Sequence, residues 1–183
     1  MKYSDFTLRP ATEADLPILL KWRNSDLIRP FMTNGRIITW GEHEKWFKGL
    51  ADDTSKKELI FEYQGTPIGQ LTVSDIDHKN STAYWGYSRG EEDAPRGSGT
   101  AMEYLALAYI FEVLGIRKLC GELFSFNTKV IKVHEKFGWE EEGRLRKHCL
   151  KGEDYEDVIC IAMFNFHWQL IRDEMREQIF EEE

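Results

Sequence analysis

Pro95-Arg96-Gly97-Ser98-Gly99-Thr100-Ala101 runs directly into Met102-Glu103-Tyr104-Leu105-Ala106-Leu107-Ala108-Tyr109-Ile110-Phe111. A loop of small residues opens a long apolar helix. Gly97 and Gly99 carry no Cβ, so the backbone there can approach a ligand closely. A helix leaves its first N–H groups without intrahelical partners, and the positive end of its dipole lies behind them. Loop and helix start together suit a phosphate or pyrophosphate. Two other phosphate motifs are excluded. A P-loop requires Lys-Ser/Thr after its last glycine, whereas Thr100-Ala101 follows Gly99. A dinucleotide fingerprint needs a third glycine and an early place in a βαβ unit, and both are missing. The spacing left is Arg-x-x-Gly-x-Ala, formed by Arg96, Gly99 and Ala101.

A glycine loop alone is also an ordinary turn, so a second segment matters. It is Asn127-Thr128-Lys129-Val130-Ile131-Lys132-Val133-His134-Glu135-Lys136-Phe137-Gly138-Trp139, ending in Glu140-Glu141-Glu142-Gly143. In order and spacing the two motifs resemble those of the GNAT N-acetyltransferase family, over residues of about 6 to 165. The resemblance implies an α/β fold with a mixed, mostly antiparallel central sheet and helices on both faces. It implies acetyl-CoA as co-substrate, with the pyrophosphate on Arg96, Gly97, Ser98, Gly99, Thr100 and Ala101 and the pantetheine arm beside Asn127. The chain departs from the family pattern at His134, where many members carry Tyr, and at Trp139, which replaces Phe.

The chain has 183 residues, 42% hydrophobic and 31% charged, with a formal net charge of −8. That length suits one domain, 1–183, with a helical extension from about residue 166. An acidic chain lacks the clustered Lys and Arg that a phosphate backbone needs, so no nucleic-acid partner is expected. A cationic or neutral amine suits it better, although a local basic pocket can still hold a nucleotide. Cys120, Cys149 and Cys160 have no metal-ligand spacing and read as buried thiols of a cytosolic protein; no metal site is expected. The N-terminus lacks an apolar signal core and no apolar run is long enough to span a bilayer, which points to a cytoplasmic location without a membrane partner. A homodimer is within what this composition allows.

Periodicity and turn residues order the elements. Phe6 to Arg9 reads as a strand, and Thr12 with Asp15 opens a helix reaching about Asn24. A second helix starts near Thr39, with Trp40, His43, Trp46, Phe47 and Leu50 as its stripe. Leu59 to Tyr63 and Pro67 to Ser74 form a hairpin around Gln64-Gly65-Thr66, and Thr82 to Tyr87 is the next strand. The glycine-loop helix runs from about Gly99 to Leu114 and ends at Gly115. Lys118 to Phe124 is a strand, Thr128 to Phe137 a helix, and Glu141 to Leu150 and Asp157 to Phe164 a final strand pair. Trp168, Ile171, Met175 and Ile179 then form the stripe of a C-terminal helix whose acidic end, Glu181 to Glu183, is expected to fray.

Acetyl transfer from a thioester to an amine needs a held thioester, a neutral amine and a proton for the leaving thiolate. No Ser-His-Asp or Cys-His order suggests a covalent intermediate, so direct attack is expected. His134 shares a helix face with Val130 and Phe137 and points inward. It is either a core histidine or, at the place of the family's tyrosine, the acid near the CoA sulfur. Glu122 lies in the strand Leu119-Cys120-Gly121-Glu122-Leu123, before the splay that accommodates acetyl-CoA in this family. Burial would raise its pKa toward base duty, and an outward side chain would make it a surface residue. Asn127 either caps the next helix or lies by the cofactor.

The N-terminal half should shape the acceptor site. Trp22-Arg23-Asn24-Ser25, Glu42-His43, Ile68 to Thr72 and the Glu141 to Val158 ending resemble the PseH-type subgroup, which acetylates the 4-amino group of a UDP-linked 4-amino-4,6-dideoxy sugar. In that subgroup the equivalents of Arg23, His43, Ser74 and Trp85 contact or neighbour the nucleotide. RimJ/RimL-type protein N-terminal acetyltransferases and spermidine acetyltransferases share several of these features. A non-catalytic acyl-CoA-binding module would keep the glycine loop without needing an inward acid.

Overall fold

The computed structural model describes residues 1–181; Glu182 and Glu183, the tip of the acidic end, lie outside the described residues. Strands are β1 (Phe6–Pro10), β2 (Lys57–Tyr63), β3 (Thr66–Asp77), β4 (Thr82–Arg89), β5 (Lys118–Phe124), β6 (Glu140–Lys151) and β7 (Asp154–Phe164). Helices are α1 (Leu16–Asn24), α2 (Trp40–Leu50), α3 (Ser98–Ala108), α4 (Thr128–Phe137) and α5 (Asn165–Ile179). The chain order is the one expected from periodicity.

Local chemistry sets the boundaries. Gln64 and Gly65 both take positive φ, 49° and 78°, the conformation a two-residue hairpin turn requires between β2 and β3. Thr39 caps α2: its N–H donates to Glu42 Oε2 (2.9 Å), and the Glu42 N–H returns to Thr39 Oγ1 (3.4 Å). The stripe expected on α2 is not a core face. Trp40 and Trp46 are exposed and only His43 is buried. The helix after the glycine loop reaches Val113, close to the expected end, but its last turn, Tyr109–Val113, widens to a π-helix before Gly115 ends it at φ 67°.

The seven strands form one sheet in the order β1-β2-β3-β4-β5-β7-β6. All neighbours are antiparallel except β4 and β5. These two pair in parallel only from Thr82–Lys118 to Tyr84–Cys120, although β4 continues to Arg89 and β5 to Phe124. Beyond that point the strands part and a gap opens in the sheet.

Alternation sorts the side chains into two layers. Leu59, Phe61, Leu71, Val73, Ala83, Trp85 and Leu119 join the main core with Met102, Leu107 and Trp168 of α3 and α5. Ile60 faces the other way and packs with Leu19 and Trp22 of α1 and with Ile28. Trp22 also ties α1 to the segment before the glycine loop. Its Nε1–H donates to Glu91 (2.7 Å), Lys21 pairs with the same carboxylate (2.8 Å), and a Cβ on Gly90 would lie 2.2 Å from the Trp22 ring. The C-terminal end is anchored as far as Glu181, and the rest of the stretch expected to fray lies outside the described residues. Phe180 is buried against Tyr3, Phe6 and Tyr104, and Glu181 pairs with the Met1 ammonium (2.9 Å). The three cysteines are free and half-buried rather than fully buried.

One buried group on the α1 side strains against the fold. Glu58 in β2 is buried, accepts a hydrogen bond from Thr72 on Oε2 (2.7 Å) and leaves Oε1 without a partner. Burial pushes its pKa up to about 8, against the smaller opposing effect of Thr72. The folded state therefore holds a proton that the unfolded chain releases above about pH 4.5. Stability should fall as pH rises from there toward 8, by at most about 1.4 kcal/mol per pH unit. Glu58→Gln should remove this slope, so urea titrations of variant and wild type should agree near pH 4.5 and separate toward pH 8, with the variant more stable. Parallel curves over that range would show that Glu58 is ionised in the folded protein.

Candidate functional site

The start of α3 has the character that its sequence implies. Gly97 stands at the N-cap with φ 92°, and no side chain caps the helix. Ser98 N–H turns back to Pro95 O (3.0 Å), and Thr100 and Ala101 N–H share Gly97 O (3.0 and 3.1 Å). The Ser98 side chain is fully buried, yet its Oγ has no partner. A Cβ on Gly99 would meet no atom within 4 Å, so that side of the turn is open. Arg96 beside it is exposed and joins no ion pair among the described residues. An uncapped helix start, an open glycine and a free guanidinium fit a pyrophosphate. The Asn127 side chain makes no capping bond to α4, which leaves its amide available.

The splayed half of β4 carries a buried polar cluster. Trp85 and Tyr87 point to the α3 side, where Glu103 is fully enclosed. Glu103 Oε1 lies 2.9 Å from His134 Nδ1 and accepts from Trp139 Nε1 (2.9 Å), while Oε2 accepts from the Tyr87 hydroxyl (3.0 Å). Trp85 stacks on Trp139 at 5.1 Å and 3°, with the His134 ring 5.7 Å away. Gly121, at the start of the splayed part of β5, leaves room for Trp85, whose Nε1 would be 3.1 Å from a Cβ there. Burial and the Glu103 charge push the Tyr87 pKa well above its usual value, so the phenol stays a donor. His134 thus points inward, as its helix face requires. Its Nδ1 is engaged; its Nε2 has no hydrogen bond and is not among the sealed, unpartnered atoms of the described residues.

Other expectations need correction. Glu122 is exposed, which makes it the surface residue of the two alternatives. A sheet shows its faces alternately, and Ser74 pairs with Tyr84 while Trp85 pairs with Val73. Ser74 and Trp85 therefore lie on opposite faces and cannot line one pocket side by side. His43 is buried, and its Nε2 lies 3.1 Å from Leu16 O, with the ring stacked on Trp46. Burial lowers its pKa, so it serves as a neutral donor fastening α2 to α1 rather than a free cation.

Arg23 lies beside two other arginines, Arg29 and Arg36. It donates to Asn34 O, its Nη1 is buried without a partner, and it pairs with no carboxylate among the described residues. Burial, with Arg36 and Arg29 nearby, lowers its pKa. Lys151, at the tip of the β6–β7 hairpin, donates to Met32 O and lies 4.7 Å from the Phe124 ring centroid. A cleft of about 460 Å³ opens between these parts, lined by Arg29, Gly35, Phe126, Lys151 and Glu156. Phe124 ends β5, so the cleft adjoins the mouth of the splay.

Glu103, Tyr87 and Lys151 were not singled out from sequence. The signal for Glu103 was there: it is the lone carboxylate in the otherwise apolar run from Met102 to Phe111, and a carboxylate in such a place needs donors. Lys151 sat in a turn and carried no comparable mark.

Comparison with known proteins agrees with the geometry. Residues 5–140 match the model of the acetyltransferase (GNAT) domain. An uncharacterized N-acetyltransferase, YokL, of the SPbeta prophage of Bacillus subtilis is 30% identical over 69% of this chain and 71% of its own. The spermidine N(1)-acetyltransferase of Escherichia coli is 23% identical over 88% and 87%, and the acetyltransferase PseH of Campylobacter jejuni 27% over 84% and 96%. The crystal structure of a Vibrio cholerae spermidine N-acetyltransferase with CoA and spermine shares the fold, with a TM-score of 0.86 at 21% identity over 91% and 99% of the two chains. The chain belongs to the GNAT acetyltransferases, enzymes that move an acetyl group from acetyl-CoA to an amine.

Proposed function

We propose that this enzyme acetylates the amino group of a small molecule by direct transfer, with His134 as the acid. The observation that carries this reading is the anchored His134 ring beside the β4–β5 splay, with Nδ1 engaged and Nε2 unbonded. Bound acetyl-CoA supplies the thioester carbonyl and the leaving thiolate. The start of α3 holds the pyrophosphate through the backbone N–H groups of Gly97 and Gly99, which unlike those of Ser98, Thr100 and Ala101 are not spent on loop carbonyls, and through Arg96. Asn127 contacts the pantetheine arm. In its charged form His134 gives the Nε2 proton to the departing sulfur. Glu122, exposed on the splayed part of β5, passes the proton of the amine to water.

For the acceptor, the leading reading is a polyamine. Its support is the name of relatives that cover almost all of the chain, together with the acidic net charge. A UDP-linked amino sugar is the second reading. It is supported by the resemblance to PseH and by Arg23 and Lys151, two cations without carboxylate partners near the cleft. Arg23, Lys151 and Ser74 are the contacts this second reading uses.

Gly99→Val should fold, because nothing stands within 4 Å of the position, but should lose acetyl-CoA affinity by more than about tenfold in calorimetry. Unchanged affinity in the folded variant would remove the phosphate role of the loop. His134→Ala should lower kcat by about 10²- to 10⁴-fold with little change in KM for acetyl-CoA. Activity near wild type would return His134 to core packing.

The acceptor is decided by kcat/KM for spermidine, a UDP-linked 4-amino sugar and a Ser- or Ala-starting peptide. Spermidine should lead, and Lys151→Ala should raise its kcat/KM a few-fold by removing a charge of about 1 kcal/mol repulsion. The second reading requires the reverse: preference for the nucleotide sugar, and a loss on Lys151→Ala.

A further inference from the structure

We infer that Glu103 is a positioning residue that fixes the tautomer of His134, so that the ring always presents Nε2 to the splay. The inference rests on the reading of His134 as the acid and explains how a histidine can work at that position.

Donors and acceptors around Glu103 leave one consistent arrangement. The Trp139 Nε1–H can only donate, and it points at Oε1. The Tyr87 hydroxyl is buried and stays protonated, and it reaches Oε2. Both carboxylate oxygens therefore act as acceptors, and with Glu103 ionised neither has a proton to give. A lone pair on His134 Nδ1, 2.9 Å from Oε1, would face another lone pair. Nδ1 must carry hydrogen, in the neutral ring as in the charged one. The variable proton is then always the one on Nε2, the only ring nitrogen without a partner.

This order suits an acid that must turn over. The charged His134 ring gives its Nε2 proton to the departing sulfur as the C–S bond breaks and the C–N bond forms, leaving the neutral Nδ1–H ring. The proton of the amine goes to water, and Nε2 regains one from solvent. Throughout, Nδ1–H stays on Glu103. Without the carboxylate, the neutral ring would be free to hold its proton on Nε2 and turn Nδ1 elsewhere. The stacked Trp85 and Trp139 rings limit the tilt of the imidazole, and Tyr87 and Trp139 hold the carboxylate in place.

The test is two-bond ¹H–¹⁵N spectroscopy of His134 in the ligand-free protein at alkaline pH. The wild-type ring should show the Nδ1–H tautomer. Glu103→Gln, whose amide oxygen still accepts from Nδ1, should keep that pattern. Glu103→Leu should shift it toward Nε2–H and lower kcat by at least about tenfold, with KM for acetyl-CoA within about twofold; Glu103→Gln should lie between Leu and wild type. An Nε2–H ring in the wild-type protein overturns the inference, and that measurement needs no variant to fold. So does a folded Glu103→Leu protein with wild-type kcat. An active His134→Ala enzyme overturns instead the acid reading on which the inference rests.

Discussion

The parting of β4 and β5 after three paired residues is the constraint around which this molecule is arranged. A sheet that separates gives up ladder hydrogen bonds and exposes backbone polar groups, a cost that a compact fold must offset nearby. Here the offset comes from packing on the splayed half of β4. Trp85 and Tyr87 face α3 and are filled in by His134 of α4 and by Trp139 just beyond it. Gly121 removes the side chain that would hold β5 against Trp85. The gap, the ring stack and the buried carboxylate are thus one construction: strands that parted without the stack would leave a void, and the stack without Glu103 would leave three donors unsatisfied.

The fold was almost wholly legible in the sequence because its signals are local. Gln64-Gly65, Gly115 and Gly138 take the positive φ that their turns require, and Thr39 with Glu42 marks a helix start. Periodicity therefore gave every strand and helix to within a few residues. It failed where two nonlocal terms compete. The aromatic stripe of α2 looked like a core face, but only His43 finds a covering layer, because α1 and not the sheet receives it. The π-helical turn after α3 has no mark in composition.

The site was legible in part. Glycine loop and helix start depend on a contiguous stretch of backbone, so sequence suffices to find them. Glu122, Ser74 and Trp85 depend on which face of a strand points where, and one step of register inverts the answer. Glu122 points to solvent, and Trp85 points away from Ser74. Glu103 required the opposite inference, from an isolated charge in an apolar helix to the donors that must surround it. Those donors come from three separate parts of the chain, β4, α4 and the residue after its terminal glycine.

The link between Trp22 and the stretch just before the glycine loop has a thermodynamic meaning. Trp22 and Lys21 of α1 hold Glu91, and the Trp22 ring rests on Gly90, a few residues from Gly97. Arg23, the next residue along α1, stands on the side of the cleft. If the loop takes up a pyrophosphate and α1 flanks an amine, as proposed, this contact is the path between the two ligands. Such a connection works equally in both directions: whatever one ligand adds to the affinity of the second, the second adds to the first. One indole ring, that of Trp22, is the joint through which such a coupling would act.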